Sequence, residues 1–114
     1  MTGSSDMLTP EDTRVLVVED NPLDRKLLHV HLTNRGYQPI IVTDGVEAWE
    51  LLEGKPDSID VVLLDRSMPR MGGIELLGRM KAHAKLRLVP VILQTSSIAQ
   101  EDILEGLRAG AYYY

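Results

Sequence analysis

Apolar positions along the chain follow two alternating patterns. Short runs rich in β-branched residues stand at positions 15–18, 40–42, 61–64 and 89–93. Stretches with helical spacing lie between them. Leu23, Leu27 and Val30 recur at i, i+4 and i+7, with Leu28 and Leu32 beside them, which predicts an amphipathic helix. Asn21 is placed to cap that helix, Pro22 to occupy its first position and Gly36 to end it. A second helix is expected after Asp44-Gly45, with Val46, Trp49 and Leu52 on one side and a closing turn at 54–58. A third follows Gly73, with Ile74, Leu77 and Met80 spaced by three. In the fourth, Ser97 and Gln100 have capping-box spacing ahead of Ile103, Leu104 and Leu107, and Gly110 stops it. "AYYY" at the end begins a fifth strand. Strands alternating with helices predict an α/β fold with a parallel sheet and helices on both faces. Continuous rather than alternating apolar runs suit its central strands.

Composition narrows this little and excludes more. The 114 residues suit one domain, expected over 13–114 behind a flexible, polar tail at 1–12. No apolar run approaches the roughly 18 residues of a membrane helix. The N-terminal stretch has no basic or apolar region of the signal-peptide kind. Cysteine is absent, which excludes disulfides and thiolate metal sites and fits a reducing cytoplasm. A net charge of −5 makes direct grip on a nucleic-acid backbone or an anionic membrane a poor expectation.

The candidate chemistry gathers at strand ends. In an open parallel sheet, ligands bind beyond the carboxyl ends of the strands. The first strand ends in Glu19-Asp20, the third in Asp65 and the fourth in Thr95-Ser96. If these strands are neighbours, three carboxylates and a hydroxyl converge on one edge. Two unit charges about 4 Å apart near a surface repel by roughly 4 kcal/mol. Either one acid is protonated or a cation sits among them. Oxygen ligands without His or Cys suit a hard ion, and one or two carboxylates, a carbonyl and waters describe Mg2+ better than Ca2+. An aspartate beside a divalent ion suits phosphoryl transfer, with Asp as nucleophile and a hydroxyl such as that of Thr95 as donor. A lone Asp after an apolar run is more often a cap. The joint pattern at three strand ends is what favours a site.

Four stretches carry a resemblance. They are "VLVVEDN" at 15–21, "VVLLDRSMPRMGGIELL" at 61–77, "VPVILQTS" at 89–96 and "GLRAGAYYY" at 106–114. With them the chain resembles the receiver domain of two-component response regulators, in particular the chemotaxis regulators. The resemblance implies a flavodoxin-like, doubly wound parallel sheet of strand order 2-1-3-4-5. It implies that Asp65 is the phosphoacceptor and that Asp20 binds Mg2+ (or Mn2+) directly. Glu19 would act through a metal-bound water, with the backbone carbonyl of Ser67 as a further ligand. Thr95 would be the switch hydroxyl and Tyr114 the aromatic switch position. Pro69 and Gly73 would shape the loop after Asp65. The family carries a lysine three residues after the switch aromatic. This sequence stops at Tyr114, and Lys26, Lys55, Lys81 and Lys85 lie in helix or loop stretches. The fifth strand is therefore expected to be incomplete and the fifth helix absent, with apolar surface uncovered.

Two functions stay open at this point. The first is a signalling switch phosphorylated on Asp65 by a histidine kinase or histidine phosphotransfer protein, a regulatory domain that catalyses only its own modification. The second is a protein-binding module with a metal-binding or vestigial acid pocket. An output domain or effector, and a homodimer or strand swap through the incomplete edge, are further partners this reading leaves open. A nucleotide or flavin enzyme is disfavoured, because "EDNPLD" at 19–24 lacks phosphate-binding glycines.

Overall fold

The computed structural model describes residues 12–65, 71–94 and 112–113. Strands β1 (Arg14–Val18), β2 (Gln38–Val42), β3 (Val61–Asp65), β4 (Val91–Gln94) and β5 (Tyr112–Tyr113) alternate with helices α1 (Pro22–Asn34), α2 (Gly45–Gly54) and α3 (Gly73–Lys81). The strands form one sheet in the order β2-β1-β3-β4-β5, with every neighbouring pair parallel. This is the order that the resemblance implies. The expected fourth helix and the tail at 1–11 lie outside the described residues.

Local chemistry explains the element ends. The Asn21 side chain accepts from the backbone N–H groups of Leu23 and Asp24, at 2.9 and 3.0 Å, and Pro22 follows at the first helical position. At the other end Gly36 has φ 89°, a conformation that suits a residue without Cβ. It lets Gly36 N–H reach the Thr33 carbonyl and Tyr37 N–H reach that of Leu32, so two terminal carbonyls of α1 are satisfied. Asp44 caps α2 by accepting from Glu47 N–H at 2.9 Å.

Two boundaries differ from the sequence expectation. The second strand begins at Gln38 rather than Ile40, so Pro39 lies inside it. It can, because β2 is an edge strand and pairs on one side only. The fourth strand begins at Val91 rather than Val89. Val89 N–H is taken by the Leu86 carbonyl of a preceding 3-10 turn, and Pro90 has no N–H to give.

Right-handed crossovers put α1 on one face of this strand order and α2 and α3 on the other. The two faces are packed unequally. Leu16, Val18, Val62, Leu64, Val91 and Leu93 join Ala48, Leu52, Leu76, Leu77 and Met80 in one core, and all are essentially inaccessible. Each such Val, Leu or Met side chain contributes roughly 1.5–3 kcal/mol by burial. On the opposite face Val15 and Val17 are also buried, but the cover given by the described residues thins towards β3 and β4. Val61, Leu63 and Ile92 are only half-buried and floor an open concavity of about 530 Å3, walled by Leu28 and Leu32 of α1. The expected uncovered apolar surface is therefore present among the described residues.

The apolar stripe of α1 needs correction. Leu23, Leu27 and Val30 are exposed at 64%, 49% and 44%, and α1 buries no residue fully. Leu28 and Leu32 face the sheet instead. The helix carries two apolar stripes roughly 150° apart, and a single sheet can cover only one.

One close approach ties the second helix to the third strand's exit. A Cβ on Gly45 would run into the Met71 carbonyl oxygen and lie 2.7 Å from Met71 Cβ. Gly45→Ala should therefore lower stability by about 1–3 kcal/mol in urea unfolding. Gly78, exposed in α3 with nothing within 4 Å of such a Cβ, should respond oppositely. Gly78→Ala should gain about 0.5–1 kcal/mol from helix propensity.

Candidate functional site

The parallel register builds the site. Val18 pairs with Leu64 in the β1–β3 ladder, so the next residues outward, Glu19 and Asp65, come side by side. Neighbouring strands lie about 4.8 Å apart. Glu19 N–H donates to the Val42 carbonyl at 3.1 Å, which carries the pairing one residue past β1 on the other side. Asp65 in turn pairs with Gln94 of β4. Asp20 follows Glu19 at the turn into α1. Carboxylate oxygens of Glu19, Asp20 and Asp65 all lie within 4.8 Å of one another. The three acids singled out in the sequence thus converge as the strand ends imply.

Their surroundings differ. Glu19 is 6% exposed, whereas Asp65 is half-buried and Asp20 reaches solvent. Burial pushes the Glu19 carboxyl up to about 7, and a hydrogen bond with Asp65 and that residue's charge push the same way. The Asn21 N–H, 3.1 Å from Glu19 Oε2, acts against them. Without a cation, then, the raised Glu19 pKa lowers the charge that the pair carries below about pH 7. The donor set is hard, acidic and open to water on the Asp20 side, which fits a small divalent cation that retains waters.

Two residues act near the site in ways that the sequence pattern did not indicate. Arg25, from the first turn of α1, reaches back to the carbonyls of Glu19 and Asp20, with Nη1 at 3.2 and 2.8 Å. Gly45 supports Met71, just past the segment that follows Asp65. Spacing along the sequence gives no signal for either, since both act across space. Gly73 opens α3, with Gly72 as its N-cap. Arg66, Ser67, Pro69, Thr95 and Tyr114 lie outside the described residues.

Trp49 packs partly against the core, edge-on to His83 at 6.3 Å between ring centroids and with the Arg79 guanidinium over its ring. His83 Nδ1 accepts from the N–H groups of Lys85 and Leu86. Trp49 therefore serves packing, and His83 holds the turn that follows α3. No described helix is long and apolar enough to cross a membrane.

Comparison with known proteins identifies the family. A family model described as the response regulator receiver domain matches residues 15–114. The chain is 32% identical over 102 residues to a chemotaxis protein CheY homolog of Campylobacter jejuni, spanning 89% of this chain and 78% of that protein. Among solved structures it is similar to the phosphorylated cyanobacterial phytochrome response regulator RcpA. There the TM-score is 0.82 and the identity 28%, covering 90% of this chain and 78% of that one. It is also similar to the receiver domain of the sensor histidine kinase PA1611 from Pseudomonas aeruginosa PAO1, described with magnesium coordinated in its active-site cleft. That TM-score is 0.80 and the identity 30%, covering 90% of this chain and 82% of that one.

The raised Glu19 pKa has a measurable consequence. A carboxyl that binds its proton more tightly folded than unfolded adds stability at low pH and loses it as pH rises through its folded pKa. With a chelator present, unfolding free energy should fall between pH 5 and pH 8 by up to about 3 kcal/mol. Glu19→Gln should flatten that component of the slope in parallel urea titrations.

Proposed function

The chain belongs to the response regulator receiver domain family, and from that premise we propose that residues 13–114 form a phosphorylation-controlled switch with Asp65 as phosphoacceptor. The observation that carries this reading is the convergence of Glu19, Asp20 and Asp65 within 4.8 Å at the C-terminal edge of the sheet. Asp20 and Asp65 would hold Mg2+ directly, with Glu19 behind a bound water and the Ser67 carbonyl completing the protein ligands. Mg2+ supplies positive charge that offsets the negative charge of an incoming phosphoryl group.

The protein's own part is positioning. Asp65 ends a strand anchored on both sides, so its carboxylate is rigidly placed yet half-open to solvent. One of its oxygens attacks the phosphorus of a phosphohistidine on a histidine kinase or histidine phosphotransfer protein. The P–O bond of an aspartyl phosphate forms as the P–N bond breaks, and the imidazole leaves with its electron pair. The acid cluster opposes approach of a phosphoryl group until a cation offsets its charge, which makes modification metal-dependent. Thr95 then donates to a phosphoryl oxygen, and the position of Tyr114 follows it. That shifts a pre-existing equilibrium on the face read by an output domain or effector. We place this activity in the cytoplasm.

The test uses a chain continued through the position three residues past Tyr114, where the family carries its lysine. Acetyl phosphate with Mg2+ should label it, and EDTA should abolish labelling. Asp65→Asn should lower the signal at least about 100-fold by intact mass spectrometry, the scale expected when the nucleophile itself is lost. Labelling that persists in Asp65→Asn contradicts the assignment.

A further inference from the structure

We propose that Arg25 is a positioning residue for the cation site: it holds the Glu19–Asp20–Asn21 backbone turned so that the Asn21 N–H faces the Glu19 carboxylate. This rests on the metal-binding reading of the acid cluster and assigns a residue outside it. One guanidinium nitrogen, Nη1, lies 3.2 Å from the Glu19 carbonyl oxygen and 2.8 Å from that of Asp20. A trans peptide carries its C=O and its N–H on opposite sides. When Arg25 draws the Asp20 carbonyl to itself, the N–H of the same peptide, that of Asn21, must point the other way. It does, and meets Glu19 Oε2 at 3.1 Å.

The loop closes on itself through α1. Asn21 caps the helix with its side chain, and the Arg25 backbone N–H donates to the Asn21 carbonyl at 2.9 Å. The main chain at position 25 is thus held without its guanidinium. Arg25 is half-buried, while Asp24 and Lys26 on either side are exposed. Its charge cannot be what the cation site needs. A fixed positive group opposes the binding of a second cation, so by charge alone its removal would tighten Mg2+ binding. A positioning role predicts the opposite sign, because an outer partner that orients a ligand is typically worth about 10–100-fold in metal affinity.

The test is a calorimetric Mg2+ titration of this chain and of Arg25→Met, which keeps the aliphatic stem and removes every donor. Mg2+ affinity should weaken by about 10–100-fold, and the Asn21 amide should lose hydrogen-exchange protection, with melting measured alongside. Arg25→Gln, neutral but with two donor protons on one nitrogen, should recover part of both readings. Unchanged or tighter binding in Arg25→Met overturns the proposal. Should that variant not fold, the wild type decides: its Arg25 guanidinium resonances should shift when Mg2+ is added, and unmoved resonances overturn the proposal. If the wild type binds no Mg2+, it is the metal reading that fails. Loss or retention of Asn21 protection in Arg25→Met then supports or overturns the positioning role on its own.

Discussion

Three carboxylates within 4.8 Å of one another repel when all are ionised without a counter-charge, and much of this structure is arranged around that fact. Folding forces the crowding. The β1–β3 register sets Glu19 beside Asp65, and neither can retreat without slipping a ladder whose Leu16–Val62 and Val18–Leu64 rows are fully buried. The repulsion is therefore held by the same hydrophobic core that stabilises the sheet. A proton at Glu19 relieves it, and a cation at the proposed metal site would do the same, with pH and metal concentration setting the balance.

The unequal packing of the two faces fits this arrangement. The dense core between the sheet and helices α2 and α3 clamps β1, β3 and β4 from one side, and each of these strands leads out to the edge that carries the acid cluster. Helix α1 buries no residue fully, so its position depends more on its two ends than on its packing. The Gly36 turn fixes the far end, and Asn21 and Arg25 fix the end that carries the acids. The start of α1 is thereby joined to the site by hydrogen bonds rather than by apolar contact. Such bonds, with their angular preference, are suited to orienting a carboxylate.

Much of this was legible in the sequence. Continuous aliphatic runs announced parallel strands, Asn21-Pro22 and Asp44-Gly45 announced helix starts, and acids at strand ends announced the acid cluster. Those signals are local and one-dimensional. The misreadings came where tertiary context chose between local options. Leu23, Leu27 and Val30 have helical spacing as regular as that of the covered residues Leu28 and Leu32, and only the placement of the sheet distinguishes the two stripes. Val89 looks like the start of a strand until the 3-10 turn before it takes its N–H. Arg25 and Gly45 act on residues across space, so no spacing rule finds them.

The central claim is that a cation and a proton compete for one acid cluster. Proton release on Mg2+ binding measures that competition directly, by calorimetry at pH 6 in buffers of different ionisation enthalpy. The account predicts about one proton released per Mg2+ at pH 6, falling towards none by about pH 8.5. Mg2+ binding that releases no proton at pH 6 would contradict it.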